Sequence, residues 1–563
     1  MYDTYKEVTA AWNLPSVQKA TAAAADKDLK VLVIGNSHGL DSTNLLYEVF
    51  KNEGLPEEYE HVTLGAIYTG GCSVSSHAKK ALGDLTYEYW VKNVGSTEDG
   101  SWLHYEDPTM REVLEDEDWD VVLLQEMNTV SAVASNFENN NIQTVFTFVV
   151  NTLGYEPKFM WNMIWANPEI PESYMNYITS LENGSSDGQI EDAPEDADNN
   201  QSVEKREAQK RAWIFETQGP TKYITWGKNY KNWENNRQVM YNHIVSNVHN
   251  YVVGKEVHNI GMDDVMPNAT AIQYAIEWMG MHEQDMYRDY THVSDLGRLT
   301  VAYLWYAKLT GKTAIGDPKY TLVSEVLENN RQPLGYARDW SAYSNVIKES
   351  VNFALADHYG VIQNYTYAEY LALSTEKQAE YEASFDTFSV NSGWTFQKWL
   401  EQAVAGVTYT DYIRMTAEQQ TAFQALCPAF DTWYERVTEN LRYVEYFLMT
   451  AEEQTGYEQL RGEAYDTWFS AASNAFTYTD YVMLGYDQQE AYKATFSEAA
   501  DFTNLFNSWK ENLSYQEYMS LTMHQKLRYR VTYGTTTKSS SEFAAAQASF
   551  LEWYEAAKAN AEG

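Results

Sequence analysis

Past residue 360 the chain repeats one short signature five times. Tyr-x-acid-Tyr stands at Tyr367/Tyr370, Tyr409/Tyr412, Tyr443/Tyr446, Tyr478/Tyr481 and Tyr515/Tyr518, with starts 42, 34, 35 and 37 residues apart. A period of that size marks short helices stacked in an array, each copy burying its apolar face against the next. Helix-start chemistry agrees: Thr366, Thr408, Thr477 and Ser514 each precede an acid by three positions (Glu369, Asp411, Asp480, Glu517), the capping-box arrangement. The third copy, with Arg442, lacks one. Second starts follow at Thr416 with Gln419, Thr450 with Glu453 and Thr522 with Gln525. The copies close on aromatic pairs: Phe396/Trp399, Phe430/Trp433, Tyr465/Trp468, Phe506/Trp509 and Phe550/Trp553. The pattern predicts an all-α module over 360–563 with two or three short helices per repeat. Recurrence at equivalent positions favours these rings as packing between helices over outward platforms for sugars, with glycan or protein binding as the role open to the module.

The first half has a different rhythm. Strand-like apolar runs, Leu29 to Ile34, Glu60 to Ile67, Trp119 to Leu124, Lys158 to Trp165 and Asn259 to Met266, alternate with helical stretches. Such alternation predicts an α/β domain with a mostly parallel sheet, spanning 29–350 behind an N-terminal extension, 1–28. Inside it, 181–203 is rich in Asp, Glu, Asn, Gly and Ser and reads as an exposed, mobile acidic insertion.

A net charge of −40 over 563 residues argues against nucleic acid and anionic lipid as partners. No apolar run is long enough to span a membrane. Met1-Tyr2-Asp3-Thr4 shows no signal peptide, so an exported protein whose leader was removed and a cytoplasmic one both fit. Cys72 and Cys427 fall in different predicted domains and read as free thiols. No His/Cys/carboxylate cluster has metal spacing and no phosphate-cradling glycine loop appears, so neither metal nor cofactor is expected.

The chemistry sits at two places. Lys30-Val31-Leu32-Val33-Ile34 delivers Gly35-Asn36-Ser37-His38-Gly39 to the start of a helix read at about Asp41 to Asn52, and Asp289-Tyr290-Thr291-His292 precedes a final helix, Leu299 to Leu309. A serine hydroxyl needs a base to take its proton, most often a histidine oriented by a carboxylate. Either motif alone is weak; their order in the chain is more specific.

That order resembles the SGNH/GDSL serine hydrolase superfamily, and more narrowly an uncharacterised SGNH-like branch common in gut bacteria. The matching stretches are Ile34 to Ser37, Tyr68 to Ser73, Trp119 to Gln125, Trp161 to Ala166, Met266 to Ala275 and His292 to Lys312. The resemblance covers about 29–312 and implies a three-layer αβα sandwich with a five-stranded, flavodoxin-like sheet. It implies Ser37 as nucleophile, His292 as base, Asp289 as its partner, and an oxyanion hole built from the backbone N–H groups of Ser37 and Gly71 and a side-chain amide. The superfamily's Gly-x-Asn-Asp is replaced by Leu124-Gln125-Glu126-Met127-Asn128, so that amide is Gln125, with Asn128 the alternative. His38, His77 and Trp165 are candidates to line the pocket. The activity implied is an esterase removing O-acetyl groups from a carbohydrate, exported or on the cell surface. Alternatives are a lipid or aryl-ester hydrolase, and a non-catalytic glycan-binding protein with a degenerate site.

Overall fold

The computed structural model describes residues 27–93, 102–169, 236–253, 262–281, 283–287, 291–319, 340–484, 486–520, 529, 549–550, 552–557 and 559–561. The acidic stretch 181–203, Asp289, Thr522 with Gln525, and nearly all of 1–28 lie outside the described residues. The described chain divides into one compact unit ending at Val361 and a second beginning at Ile362.

The first unit is built on a seven-stranded sheet: β1 (Asp28–Gly35), β2 (His61–Tyr68), β3 (Thr86–Lys92), β4 (Leu103–Thr109), β5 (Val121–Leu124), β6 (Lys158–Asn162) and β7 (Asp264–Met266). Their order is β4-β3-β2-β1-β5-β6-β7. The five strands read from the sequence are present and mutually parallel. The expected five-stranded, mostly parallel sheet is nevertheless corrected to a mixed one, because β3 and β4 extend it antiparallel beyond β2. These two lack the continuous apolar run of a strand covered on both faces. In β3 the buried Tyr87, Tyr89 and Val91 alternate with less buried residues. Edge strand β4 is largely exposed and carries Pro108, a residue tolerated only where a ladder hydrogen bond is not needed.

Helices α1 (Ser37–Thr43), α2 (Leu46–Glu53), α3 (Val74–Leu82), α4 (Met110–Asp116), α5 (Asn141–Leu153), α6 (Arg237–Asn247), α7 (Asn268–Glu277), α8 (Asp295–Leu309) and α9 (Trp340–Ala356) connect and cover the strands. One group packs α8 against α1, α2, α7 and α9; another packs α3 against α4 and α5.

The second unit is all helical, in short segments such as Tyr367–Ala372, Tyr409–Arg414, Tyr443–Phe447, Tyr478–Met483 and Tyr515–Ser520. The boxes at Thr366/Glu369, Thr408/Asp411, Thr416/Gln419, Thr450/Glu453 and Thr477/Asp480 are formed, as are both bonds between Ser514 and Glu517. In the third copy only the return half survives: Glu445 accepts the Arg442 N–H at 3.0 Å, and the guanidinium has no oxygen with which to cap. A device not read from the sequence closes the first helix of the first four copies. Gln378, Gln420, Gln454 and Gln489 donate to the carbonyl pairs Tyr370/Leu373, Tyr412/Met415, Tyr446/Met449 and Tyr481/Leu484, satisfying acceptors that a helix end leaves open. The tyrosines and tryptophans turn inward: Tyr367, Tyr409, Tyr412, Tyr446, Tyr478, Tyr481, Tyr518, Trp399, Trp433 and Trp468 are all buried. They form edge-on and tilted ring clusters, as in Tyr412 with Trp433 and Tyr446 with Trp468, and so serve as packing.

In the first unit, α8 is buried on nearly every side, as a helix apolar all round must be. Its one arginine ties it to α1. Arg298 donates through Nε at 2.9 Å and Nη2 at 2.8 Å to Asp41 Oδ1, and through Nη1 at 2.9 Å to Asp295. Asp41 is 2% exposed, and that guanidinium is a charge partner held against it in the interior. Removing one member of a buried pair leaves the other poorly compensated. Arg298→Met should therefore lower unfolding free energy by about 3–5 kcal/mol in urea denaturation; a loss well under 1 kcal/mol would show the clamp to be dispensable.

Candidate active site

Ser37 and His292 are 255 residues apart, yet Ser37 Oγ and His292 Nε2 lie 2.7 Å from each other. Ser37 opens α1 immediately beyond β1, and His292 lies in the turn before α8, whose N-cap Ser294 accepts from Gly297 N. Both side chains are partly exposed, whereas His38, Thr291 and Trp165 around them are buried. A hydroxyl and an imidazole at that separation can exchange a proton directly. Asp289, expected to orient His292, lies outside the described residues.

Behind this pair runs a file of buried amides. Trp305 Nε1 donates to Asn268 Oδ1 at 3.0 Å, and Asn268 Nδ2 donates to Asn162 Oδ1. Asn162 Nδ2 donates to Gln125 Oε1 at 2.6 Å, Gln125 Nε2 to Asn36 Oδ1 at 2.7 Å, and Asn36 Nδ2 to Cys72 O at 2.9 Å. All four amide side chains are at most 1% exposed. Asn268 follows β7, Asn162 ends β6, Gln125 follows β5, Asn36 follows β1 and Cys72 comes after β2, so the file crosses the carboxyl ends of the parallel strands in sheet order. Its polarity is forced, because an indole N–H can only donate and a carbonyl can only accept. At the serine end Asn36 Oδ1 also takes His38 N at 3.0 Å, capping α1. One amide thus joins the turn carrying Ser37 to the turn after β2.

The glycines beside Ser37 serve the same file. A Cβ on Gly35 would lie 2.8 Å from Gln125 Cδ, and one on Gly39 would lie 3.1 Å from Gln125 Oε1. Gly71 has φ +63° at the third position of the turn closed by Cys72 N to Thr69 O, a position that favours glycine.

Several expected roles change. Gln125 was expected to donate to an oxyanion, but it is wholly buried and its NH₂ is engaged by Asn36, so it positions the serine turn instead. Asn128 does not replace it: its Nδ2 donates to Trp165 O at 2.7 Å and the residue is 2% exposed. Trp165 is no pocket wall, since it is fully buried and donates Nε1 to Thr291 O at 2.7 Å. His38 is also internal; it stacks on the His292 ring at 5.0 Å and bonds Thr291 Oγ1 at 2.8 Å. Trp165 and His38 therefore grip the residue before the base. His77 lies fully enclosed against Tyr87, and burial, followed by the Lys80 charge, drives its pKa down to about 3. Among the described residues no group of three His, Cys, Asp or Glu side chains is placed to hold a metal. Cys72 and Cys427 are free and buried.

Residues 30–182 and 170–324 match the family described as Domain of unknown function (DUF4886), together more than half of the chain. The chain belongs to the DUF4886 family. A solved relative, a DUF4886 family protein from Bacteroides uniformis ATCC 8492, is 20% identical over 60% of this chain and 98% of its own, with a TM-score of 0.39. No curated protein matches.

In this DUF4886 chain one buried carboxyl, Glu126, has a raised pKa. Glu126 Oε1 accepts Met127 N at 2.7 Å and Val74 N at 3.1 Å, joining the loop after β5 to the start of α3. Burial pushes its pKa up to about 7, with those two N–H bonds opposing. The folded chain then keeps this proton up to about pH 7, while the unfolded chain releases it near the ordinary carboxyl value of about 4.3. Stability falls as pH rises through that window, by up to about 1.4 kcal/mol per unit. Glu126→Gln keeps an acceptor oxygen and cannot ionise. Its stability relative to the native chain should improve by about 2–3 kcal/mol between about pH 5 and pH 8, measured by urea denaturation; parallel curves would contradict the buried ionisation.

Proposed function

We propose that the first unit is a serine hydrolase acting on short acyl esters. The observation that carries this reading is the 2.7 Å approach of Ser37 Oγ to His292 Nε2. It is supported by the investment of buried polar groups in holding the two turns: the amide file behind Ser37, and Trp165 with His38 behind His292.

In this reading Ser37 Oγ attacks the ester carbonyl carbon as its proton passes to His292 Nε2. The same imidazole returns the proton to the departing alcohol oxygen, leaving an acyl group on Ser37. Water then attacks with His292 again as base, and acid and free enzyme are released. The developing oxyanion would be met by the backbone N–H groups of Ser37 and Gly71, brought into register by Asn36 through His38 N and Cys72 O. With Gln125 held in the file, this hole has two donors rather than three. A missing donor typically costs about 2.7–4 kcal/mol of transition-state stabilisation, so a modest rate on activated esters is expected.

For the substrate we favour O-acetyl groups on a carbohydrate, a choice supported by the resemblance to SGNH hydrolases. The protein should react covalently at Ser37 with a fluorophosphonate and release acetate from an acetylated polysaccharide in preference to long-chain acyl esters. Ser37→Ala should abolish both, and His292→Ala should slow them by a factor of about 10³ or more. Labelling of Ser37→Ala equal to that of the native chain would sink the proposal, and preference for long-chain esters would move the substrate class to lipids.

A further inference from the structure

The segment that carries His292 is one limb of a pinned loop. Its other limb is 283–287, which opens as the one-turn helix Glu283–Met286. The two limbs are joined three times. Tyr287 bridges Val293 antiparallel, Ser294 N donates to Met286 O at 2.8 Å, and Ser294 Oγ donates to Asp285 O at 2.6 Å. Gly297, in the first turn of α8, allows this close approach, since a Cβ there would lie 2.6 Å from Met286 O. The position of His292 therefore depends on what holds the Glu283 limb.

That limb is held by a buried arginine. Arg237, the first residue of α6, is 8% exposed and donates through Nη1 to Glu283, through Nη2 to Glu277 at the end of α7, and through Nε to Gln273 Oε1 at 3.1 Å. Its backbone N donates to Glu169 Oε1 at 3.1 Å, and Glu169 N donates to Glu283 Oε2 at 3.1 Å. Glu169 belongs to the stretch after β6 whose Ala166 O accepts the Tyr287 hydroxyl and whose Trp165 Nε1 donates to Thr291 O. One guanidinium thus joins α6, α7 and the root of the His292 loop, and the same root is laced to the segment after β6.

This is a costly way to hold helices together. Two carboxylates share the guanidinium and a third, Glu169, lies against the Arg237 backbone. Like charges repel, and each lost water on entering the interior, so apolar side chains of similar volume would hold α6 to α7 at least as firmly. They would not fix a direction. A planar guanidinium with Nε, Nη1 and Nη2 all engaged fixes Glu283 in angle as well as distance. The plane itself is oriented from behind: Gln273 Nε2 donates to Gln238 Oε1 at 2.8 Å, and Gln238 Nε2 donates to Val361 O at 2.8 Å. Every link has a forced direction, because a guanidinium only donates and a backbone carbonyl only accepts.

We propose that Arg237 is a positioning residue: by holding Glu283 it sets the root of the loop, and through it the 2.7 Å approach of His292 Nε2 to Ser37 Oγ. The inference rests on the reading of that pair as catalytic. The test is a double-mutant cycle on the full chain, read as the rate at which a fluorophosphonate labels Ser37, at a temperature where every variant gives the native far-UV circular dichroism spectrum. Arg237→Gln is too short to reach both carboxylates and should slow labelling about tenfold or more. Glu283→Gln keeps the shape and an acceptor oxygen but loses the charge, and should slow it about threefold. In a His292→Ala background no base remains to be misplaced, so neither change should slow labelling further. If Arg237→Gln does not fold, the near-isosteric Glu283→Gln carries the cycle by itself. Labelling at the native rate would overturn the proposal. So would equal slowing with and without His292, which would place the effect in the fold at large. Labelling that survives Ser37→Ala is a different failure, because it removes the hydrolase reading itself.

Discussion

The single file of amides from Trp305 to Cys72 is the constraint on which the first unit depends. Each link alone is worth about 1 kcal/mol net, but a link broken inside the protein leaves orphaned donors and acceptors at about 1–3 kcal/mol each. Because neighbouring amides set one another's orientation, the file behaves as a unit rather than as separate bonds. It fixes the relative heights of five strand ends, and the turn bearing Ser37 is one of them. Burying this much polarity is a poor way to gain stability and a good way to hold one geometry. Apolar side chains could fill the same volume but would not dictate which way Asn36 faces.

The second partner is held by different means. His292 sits in a turn pinned from below by Trp165 and His38 through Thr291, and from the helix side by Arg298, which ties α8 to Asp41 of α1. The two supports meet where Asp41 and Ser37 share one short helix, so the serine turn and the histidine turn cannot drift independently. The same mixture appears in the repeats. Aromatic rings supply area there, while the recurrent glutamines and capping boxes set where each short helix stops and starts.

Much of this was legible in the sequence, and the exceptions have physical reasons. The five parallel strands announced themselves as continuous apolar runs, and the five repeats through spacing and caps. β3 and β4 escaped notice because edge strands alternate or expose their residues and because Pro108 reads as a breaker. The Ser37–His292 pairing was readable from motif order, since a serine after the first strand and a histidine before the last helix are brought to one end of the sheet. Gln125 was misassigned because sequence position places it at the strand end but says nothing of how deeply it is buried. Asn162 and Asn268 lie in the stretches that carry the resemblance but were given no role; a polar residue closing β6 and one opening α7 just past β7 were the signals that could have found them. The Gly35 and Gly39 pair was a second signal, because two glycines flanking one turn imply something packed against it.

The measurement that bears most directly on the role of the file is the rate at which a fluorophosphonate labels Ser37 when the far end is cut. Asn268→Leu removes the amide that orients Asn162, three links from Asn36, and touches neither Ser37 nor His292. Compared at a temperature where both chains are folded, the variant should label about tenfold or more slowly, because loosening Asn36 misplaces the serine turn. A folded Asn268→Leu chain that labels at the native rate would show that the file stabilises the fold without positioning the site.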